Sequence, residues 1–526
     1  MSFTPAGGRA DRSFELVRQS LLQSDELPFQ DALTAAQIRQ AIDAEGVAFG
    51  QTDDRAPGAS RTEHTGPPEI VYTEGVTLWA MLSQALFTDA QRACVAAVQR
   101  VAVYWVLLGR ETPSMDTGGY TRARVKVTEG VVRRLAEGVA ERCEAVVPDD
   151  WNWHGFRTLL IDGTTFSMPD TDANREEYPQ PTSQAEGLGF PILRAVALMS
   201  LATGMVLSLA TGPYAGKETG ETALFRTLFE KLRRGDELTR GDLVLADRYY
   251  GGWFMLALLQ ALGVQFVTRL HQHRTADFTR GKRLGKGDHI VTWAKPAKPE
   301  WLDQDTYDRL PAQLEVRELE VRVDIPGFRT ESLVVVTSLL DNRVYTHTDI
   351  ADLYRRRWLI ELHLRDIKTT MRLEILRRTR PEYVRQELWT GLLAYNLVRQ
   401  SLLQSALASG RRPHQLSFAS ALQMLANTWV LAAVLNDSAV PPHTVPPHTV
   451  PPHTVPPHTV PPHTVPGARE RLLALRIING WSHRVGQRPN RVEPRAVKRR
   501  PSPLALLTEP RSAARDRLKD GQTSKS

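Results

Sequence analysis

Apolar residues recur at three- and four-residue intervals from about Ser13 to Val146, in LTAAQIRQAIDAEG, VTLWAMLSQALF and AQRACVAAVQRVAVYWVLLG, which predicts a series of amphipathic helices. Thr77 is placed to cap the second of these, and Thr88 or Asp89 the third. The pattern then shortens. The apolar run Leu159 to Ile161 ends at Asp162 and Gly163, and GFPILRAVALMSLATGMVLSLATG reads as a hairpin turning at Ala202, Thr203 and Gly204. KETGETALFRTLFEKLRRG reads as a helix stopped by Gly235. GDLVLADRYYGG repeats the first device, with Leu243 to Ala246 ending at Asp247. WFMLALLQALG is then a helix and VQFVTRL a strand. The order is three strands, helix, strand, helix, strand.

Between Arg269 and Leu340 short alternating pieces, DHIVTWAKP, LEVRELEVRV and ESLVVVTSLLD, are too extended for a plain connection and predict an inserted β subdomain. Leu353, Ile360, Leu364, Ile367 and Met371 next form one apolar helical stripe. Helices follow after Pro381 and in LSFASALQMLANTWVLAAVLN. Residues 441–465 are five consecutive copies of PPHTV, a proline density that cannot bury a core and predicts an extended linker. ARERLLALRIINGW is a last helix before a basic tail containing Arg495, Lys498, Arg499, Arg500, Arg511 and Arg515.

The length of 526 residues allows two or three domains, and the apolar fraction of 42% is that of a globular chain. A net charge of +7 and a pI near 9.4 favour an anionic partner, nucleic acid first. Cys94 and Cys143 are too few for a disulfide framework or a cysteine zinc site. No apolar run reaches the roughly 18 residues of a membrane span, and the N-terminus has no apolar signal core. The expectation is a cytoplasmic, nucleoid-associated protein with no membrane partner.

The candidate chemistry concentrates in YRRRWLIELHLRDIK. At about 100° per residue Tyr354, Arg357, Glu361 and Lys368 share an arc of about 60°, beside the apolar stripe that seats the helix. A carboxylate between two cations suits an acid that holds metal while the cations hold phosphates. A solvated helix with salt bridges carries the same residue types. One aspartate closing a strand is an ordinary turn residue. Two of them, Asp162 and Asp247, in this strand order and followed by Glu361, make a joint pattern. Three converging carboxylates suit a hard divalent ion.

The spacing Tyr354, Arg357, Glu361, Lys368 resembles the signature of bacterial insertion-sequence transposases of the DDE type, insertion-sequence family four. The resemblance covers most of the chain from about Val71. It implies an α/β fold, a ribonuclease-H-like catalytic core with a β-strand insertion, flanked by helical N- and C-terminal regions. The expected division is a helical DNA-end recognition region at 1–146, the first part of the core at 147–268, the β insertion at 269–340, the core helix and C-terminal helices at 341–436, the repeat linker at 437–466 and a basic helix and tail at 467–526. By similarity Asp162, Asp247 and Glu361 bind two Mg2+ (or Mn2+) ions, while Tyr354, Arg357 and Lys368 hold DNA phosphates. Tyr120, Ala123 and Arg124 match a pattern of the family's N-terminal region, which points Tyr120 and Arg124 at DNA. Arg269 and Trp293 belong to a positive arm with an aromatic for an unpaired base. The implied activity is metal-dependent cleavage at the terminal inverted repeats and strand transfer into target DNA, by a homodimer on paired ends. The alternatives are another ribonuclease-H-fold DNA nuclease and an inactive copy that only binds element ends.

Overall fold

A computed structural model of the chain describes residues 33–49, 70–181, 187–235, 238–322, 332–437, 468–485 and 509–523. The expected PPHTV linker, apart from its first residue, and the basic positions Arg495, Lys498, Arg499 and Arg500 lie outside the described residues. Two compact units form, Met1–Leu135 with Leu397–Arg484 and Ala136–Asn396 with Val485–Ser526. The divide falls inside the Glu129–Glu144 and Pro381–Ser409 helices. No described helix is long and apolar enough to cross a membrane.

The regular elements of the first unit, among its described residues, are helices. The Ala35–Ala44 helix opens with a capping box, Thr34 Oγ1 accepting from the Gln37 N–H while the Gln37 side chain accepts from the Thr34 N–H. Its neighbour Glu74–Leu86 starts one turn earlier than the sequence predicts: Thr73 is the cap, and Thr77 is buried inside the helix. Thr88 and Asp89 begin a short 3-10 turn, so the Cys94–Leu107 helix starts after Ala93 without a side-chain cap. Trp79 stacks on Trp429 at 5.8 Å between ring centres, both indoles buried.

The second unit is built on a nine-stranded sheet: β1 (Arg157–Ser167), β2 (Ile192–Ser200), β3 (Val206–Pro213), β4 (Asp242–Ala246), β5 (Gln265–Arg269), β6 (Lys282–Gly285), β7 (Asp288–Ala294), β8 (Gln313–Arg322) and β9 (Ser332–Thr337). Its order is β3-β2-β1-β4-β5-β9-β8-β7-β6. The β2–β3 hairpin turns at Gly204, whose φ of 73° needs glycine. β1 to β3 are antiparallel, while β4 and β5 run parallel to β1, each parallel step crossing over through a helix, Glu221–Arg234 and then Trp253–Ala261. Leu224, Phe225, Leu228, Phe229 and Leu232 of the first crossover helix bury against Leu159, Ile161, Val196, Val244 and Phe266 of the sheet. At about 1.5–3 kcal/mol for each large side chain fully buried, this layer fixes where β1 and β4 lie.

Two strand expectations change. Asp162 does not close a strand: Thr164, Thr165 and Phe166 are good strand formers and carry β1 on to Ser167, which leaves Asp162 at its middle. The strands between 269 and 340 do not make a separate sheet. β9 pairs with β5 from Val267 to Arg269, and β8, β7 and β6 follow outward, so the insertion widens the same sheet. Buried charges tie it together, with Arg317 donating to both Asp288 oxygens at 2.8 and 2.6 Å.

Candidate active site

Parallel pairing places the two aspartates together. Ile161 of β1 is registered with Ala246 of β4, so Asp162 and Asp247 occupy the next position on neighbouring strands. Each carboxylate is held locally, Asp162 Oδ1 accepting the Gly163 N–H at 2.8 Å and Asp247 Oδ1 the Arg248 N–H at 2.6 Å. Asp247 thereby caps the short Arg248–Tyr250 turn, which returns Tyr250 into the core.

The signature segment is not one regular helix. His347–Arg356 and Trp358–Arg365 meet at Arg357, and residues 366–370 form a π turn, a device frequent at functional sites. The predicted stripe Leu353, Ile360, Leu364, Ile367 and Met371 is buried throughout. Beyond the π turn, Ser167 of β1 accepts from the Leu376 N–H at 2.8 Å and donates to Glu374 O at 3.0 Å, which ties this segment to the strand that carries Asp162. Lys368 lies on that π turn, its ammonium 3.9 Å from Glu374.

Arg357 is the centre of the cluster. Its guanidinium donates to Glu361 Oε1 at 2.6 Å and lies 3.8 Å from Asp162 Oδ2, with the Arg357 side chain 17% exposed. Burial works against that charge, but Tyr354, Glu361 and Asp247 outweigh it and hold the guanidinium above its ordinary range. Burial pushes the Asp162 carboxyl up to about 6; the Gly163 N–H and Arg357 pull it down, and Glu221 and Glu361 add to the rise. Burial also raises the Tyr354 phenol, with Arg357 opposing and Asp247 adding.

Several expected DNA contacts are corrected by burial. Tyr354 is 7% exposed and faces Arg357, Asp247 and Arg269, so it supports the acid cluster from below the surface. Trp293 packs in the core of the sheet, its indole N–H donating to the buried Glu318 Oε1 at 3.0 Å and its carbonyl accepting from Trp253. It cannot stack on a base from there. Tyr120 is wholly buried and donates to Gln84 at 2.5 Å, and Arg124 lies half-buried within 3.2 Å of Cys94 Sγ on the Thr117–Lys126 helix. Their segment is itself a helix. Trp293→Phe is expected to lower stability by about 1–3 kcal/mol, because Glu318 Oε1 loses its donor while Oε2 keeps His289, and to leave affinity for duplex DNA within about twofold. Thermal melting and fluorescence anisotropy read the two effects separately.

The donor set consists of hard carboxylate oxygens, and burial of Asp162 beside other acids makes a cation favourable there. Asp162, Asp247 and Glu361 therefore fit a divalent ion in chemistry. Among the described residues, though, no three His, Cys, Asp or Glu side chains are drawn together closely enough to grip one, and Arg357 stands between Asp162 and Glu361. Glu221 and Tyr250 also face the cluster. Neither was visible in the sequence, where Glu221 is an ordinary acid in the first turn of a helix and Tyr250 an ordinary core aromatic.

The sequence profile of the Transposase DDE domain matches residues 153–397, which contain all three acids. The transposase InsG for insertion sequence element IS4 of Escherichia coli K12 is 30% identical over 331 residues, 61% of this chain and 69% of that protein. The putative transposase InsZ of the same strain is 36% identical over 102 residues, 19% of this chain and 33% of that protein. Among solved structures, a piggyBac transposase synaptic complex with hairpin DNA aligns with a TM-score of 0.43 at 10% identity, over 80% of this chain and 84% of that one. With the DDE domain spanning the acid cluster and an IS4 transposase matched over more than two thirds of its length, the chain belongs to the IS4 family of DDE transposases and is an enzyme of DNA transposition.

Proposed function

We propose that Asp162, Asp247 and Glu361 are the catalytic acids and that they hold two Mg2+ or Mn2+ ions, the family's use of divalent metal being given by the DDE domain. Bound there, the ions would activate the attacking oxygen and offset charge on the leaving oxygen. The observation that carries the assignment is the bridge of Arg357 from Asp162 to Glu361, with Asp162 and Asp247 side by side on parallel strands. β1 to β5, three antiparallel strands followed by two parallel ones in the order 3-2-1-4-5, support a ribonuclease-H-like core around those acids.

Each residue then has a physical task. The mid-strand backbone of β1 fixes Asp162, the turn cap fixes Asp247, and the buried stripe of the signature segment presents Glu361. Arg357 keeps two acids neutralised in the resting protein, and its planar fork suits a DNA phosphate once their charge is otherwise offset. Lys368 and Arg269 are proposed as further backbone contacts. The substrate is double-stranded DNA at the element's terminal inverted repeats. The enzyme cuts there and joins the freed 3′ hydroxyl to target DNA, acting as a homodimer on paired ends.

Purified full-length protein should cut and rejoin an end-labelled duplex of the flanking terminal repeat with Mg2+ and be silent with chelator, and Asp247→Asn and Glu361→Gln should each lower the rate at least about 10³-fold. Binding without cutting in the unsubstituted protein would identify an inactive end-binding copy. Cutting without joining would identify another nuclease of this fold. Cutting that survives both substitutions would remove the assignment of the acids.

A further inference from the structure

Glu221 is the first residue of the Glu221–Arg234 helix and follows a Gly220 cap that supplies no side chain. Its carboxylate lies against β1 at Gly163, the residue after Asp162. A Cβ at Gly163 would stand 2.4 Å from Glu221 Cδ, 2.6 Å from Oε1 and 2.7 Å from Cγ. Gly163 is a strand residue outside the positive-φ region, so its backbone does not require glycine. What requires it is the space taken by the Glu221 side chain. An acid in a first helical turn is ordinarily explained by the helix dipole, but that role needs no approach to a neighbouring strand.

The approach is electrostatically unfavourable by itself. Glu221 adds to the negative field on Asp162, and it has no salt-bridge partner among the described residues. Like charges partly removed from water repel, so placing Glu221 beside the residue that follows Asp162 needs a reason. A second observation points to a ligand. The Tyr250 hydroxyl is buried, with the residue 2% exposed, has no hydrogen-bond partner, and faces the charges of Glu221, Asp162 and Asp247, with Arg194 opposing them more weakly. Its ring is fixed edge-on to Phe225 at 5.2 Å between centres, so the hydroxyl cannot turn away to water. A buried donor left unpaired among carboxylates costs about 1–3 kcal/mol unless something polar arrives with the occupant of the site.

We propose that Glu221 is a fourth carboxylate of the reaction centre, sharing with Asp162 the hold on one divalent cation beside the Tyr250 hydroxyl. This rests on the assignment of Asp162 made above. Gly163 is then the residue that admits Glu221 to the cluster, and Tyr250 orients the polar shell around the ion.

The test is Mn2+ binding by the full-length protein, followed as loss of the free-ion electron paramagnetic resonance signal, for the unsubstituted chain and for Glu221→Gln, Gly163→Ala and Asp162→Asn. Glu221→Gln should weaken Mn2+ binding at least about tenfold and shift the Mn2+ concentration for half-maximal DNA cleavage upward by a similar factor. Gly163→Ala keeps every acid but pushes the flexible Glu221 side chain aside, and should weaken binding in the same direction. Glu221→Asp should recover part of the loss, and circular dichroism checks that each variant is folded. If Glu221→Gln and Gly163→Ala bind Mn2+ within twofold of the unsubstituted chain while Asp162→Asn loses it, Glu221 has no part in the site and the Asp162 assignment stands. If Asp162→Asn also binds normally, both fail.

Discussion

Asp162→Asn is expected to abolish strand cleavage and at the same time to raise the melting temperature at neutral pH. The carboxyl is pushed from 3.8 to about 6, with burial the first cause. A folded-state value above the unfolded one means that the acid contributes fully to stability below about pH 4 and loses that contribution as pH rises through about 6. Above that pH the ionised group costs the fold up to about 3 kcal/mol, less what relaxation and water recover. Asparagine keeps the oxygen that accepts the Gly163 N–H and removes the charge. The gain should therefore appear at pH 7–8 and fade towards pH 4, in chelator, by thermal melting across a pH series. A variant no more stable than the parent at pH 8 would mean that Arg357 already compensates the acid in full. Cleavage loss of at least about 10³-fold is the accompanying expectation.

Arg357→Ala should act in the opposite direction on stability. It leaves Asp162 and Glu361 without the guanidinium they share, at 3.8 and 2.6 Å. Removing one partner of a fully buried pair costs about 3–5 kcal/mol, and because the Glu361 side chain is 37% exposed the expected cost here is about 1–3 kcal/mol. Arg357 also stands where a cation between those acids would have to be accommodated. Millimolar Mg2+ or Mn2+ should thus raise the melting temperature of Arg357→Ala by more than it raises that of the parent. Equal metal-induced shifts would argue that Arg357 and the metal do not compete for the same carboxylates. Arg357→Lys should recover part of the stability and little of the cleavage, since an ammonium is a point charge without the planar fork.

The fate of the DNA-contact expectations shows what a helical wheel can and cannot tell. Tyr354, Arg357, Glu361 and Lys368 read on the wheel as one polar row. Tyr354 is instead buried, and Arg357 reaches back to an aspartate on β1, nearly two hundred residues earlier in the chain. The apolar stripe beside that row was read correctly because its periodicity is local and every member had to be covered by the same core. Trp293 differs for a related reason. An aromatic among basic residues looks like a stacking platform, but its indole N–H is paired with the buried Glu318 inside its own unit, as the Tyr120 hydroxyl, matched to DNA by a family pattern, is paired with Gln84.

The sequence by itself determined the alternation of strands and crossover helices, the apolar runs that lead to Asp162 and Asp247, and the helical seat of Glu361. These follow from spacings of two and of three to four residues, which the backbone imposes within a few turns or rungs. Only the tertiary structure decided that β1 continues past Asp162, that β6 to β9 extend the same sheet, that Arg357 stands between two of the three acids, and that Glu221 lies against Gly163. Each of these depends on which strands pair and which side chains lose water together. No local pattern of apolar and polar positions encodes pairing between distant segments.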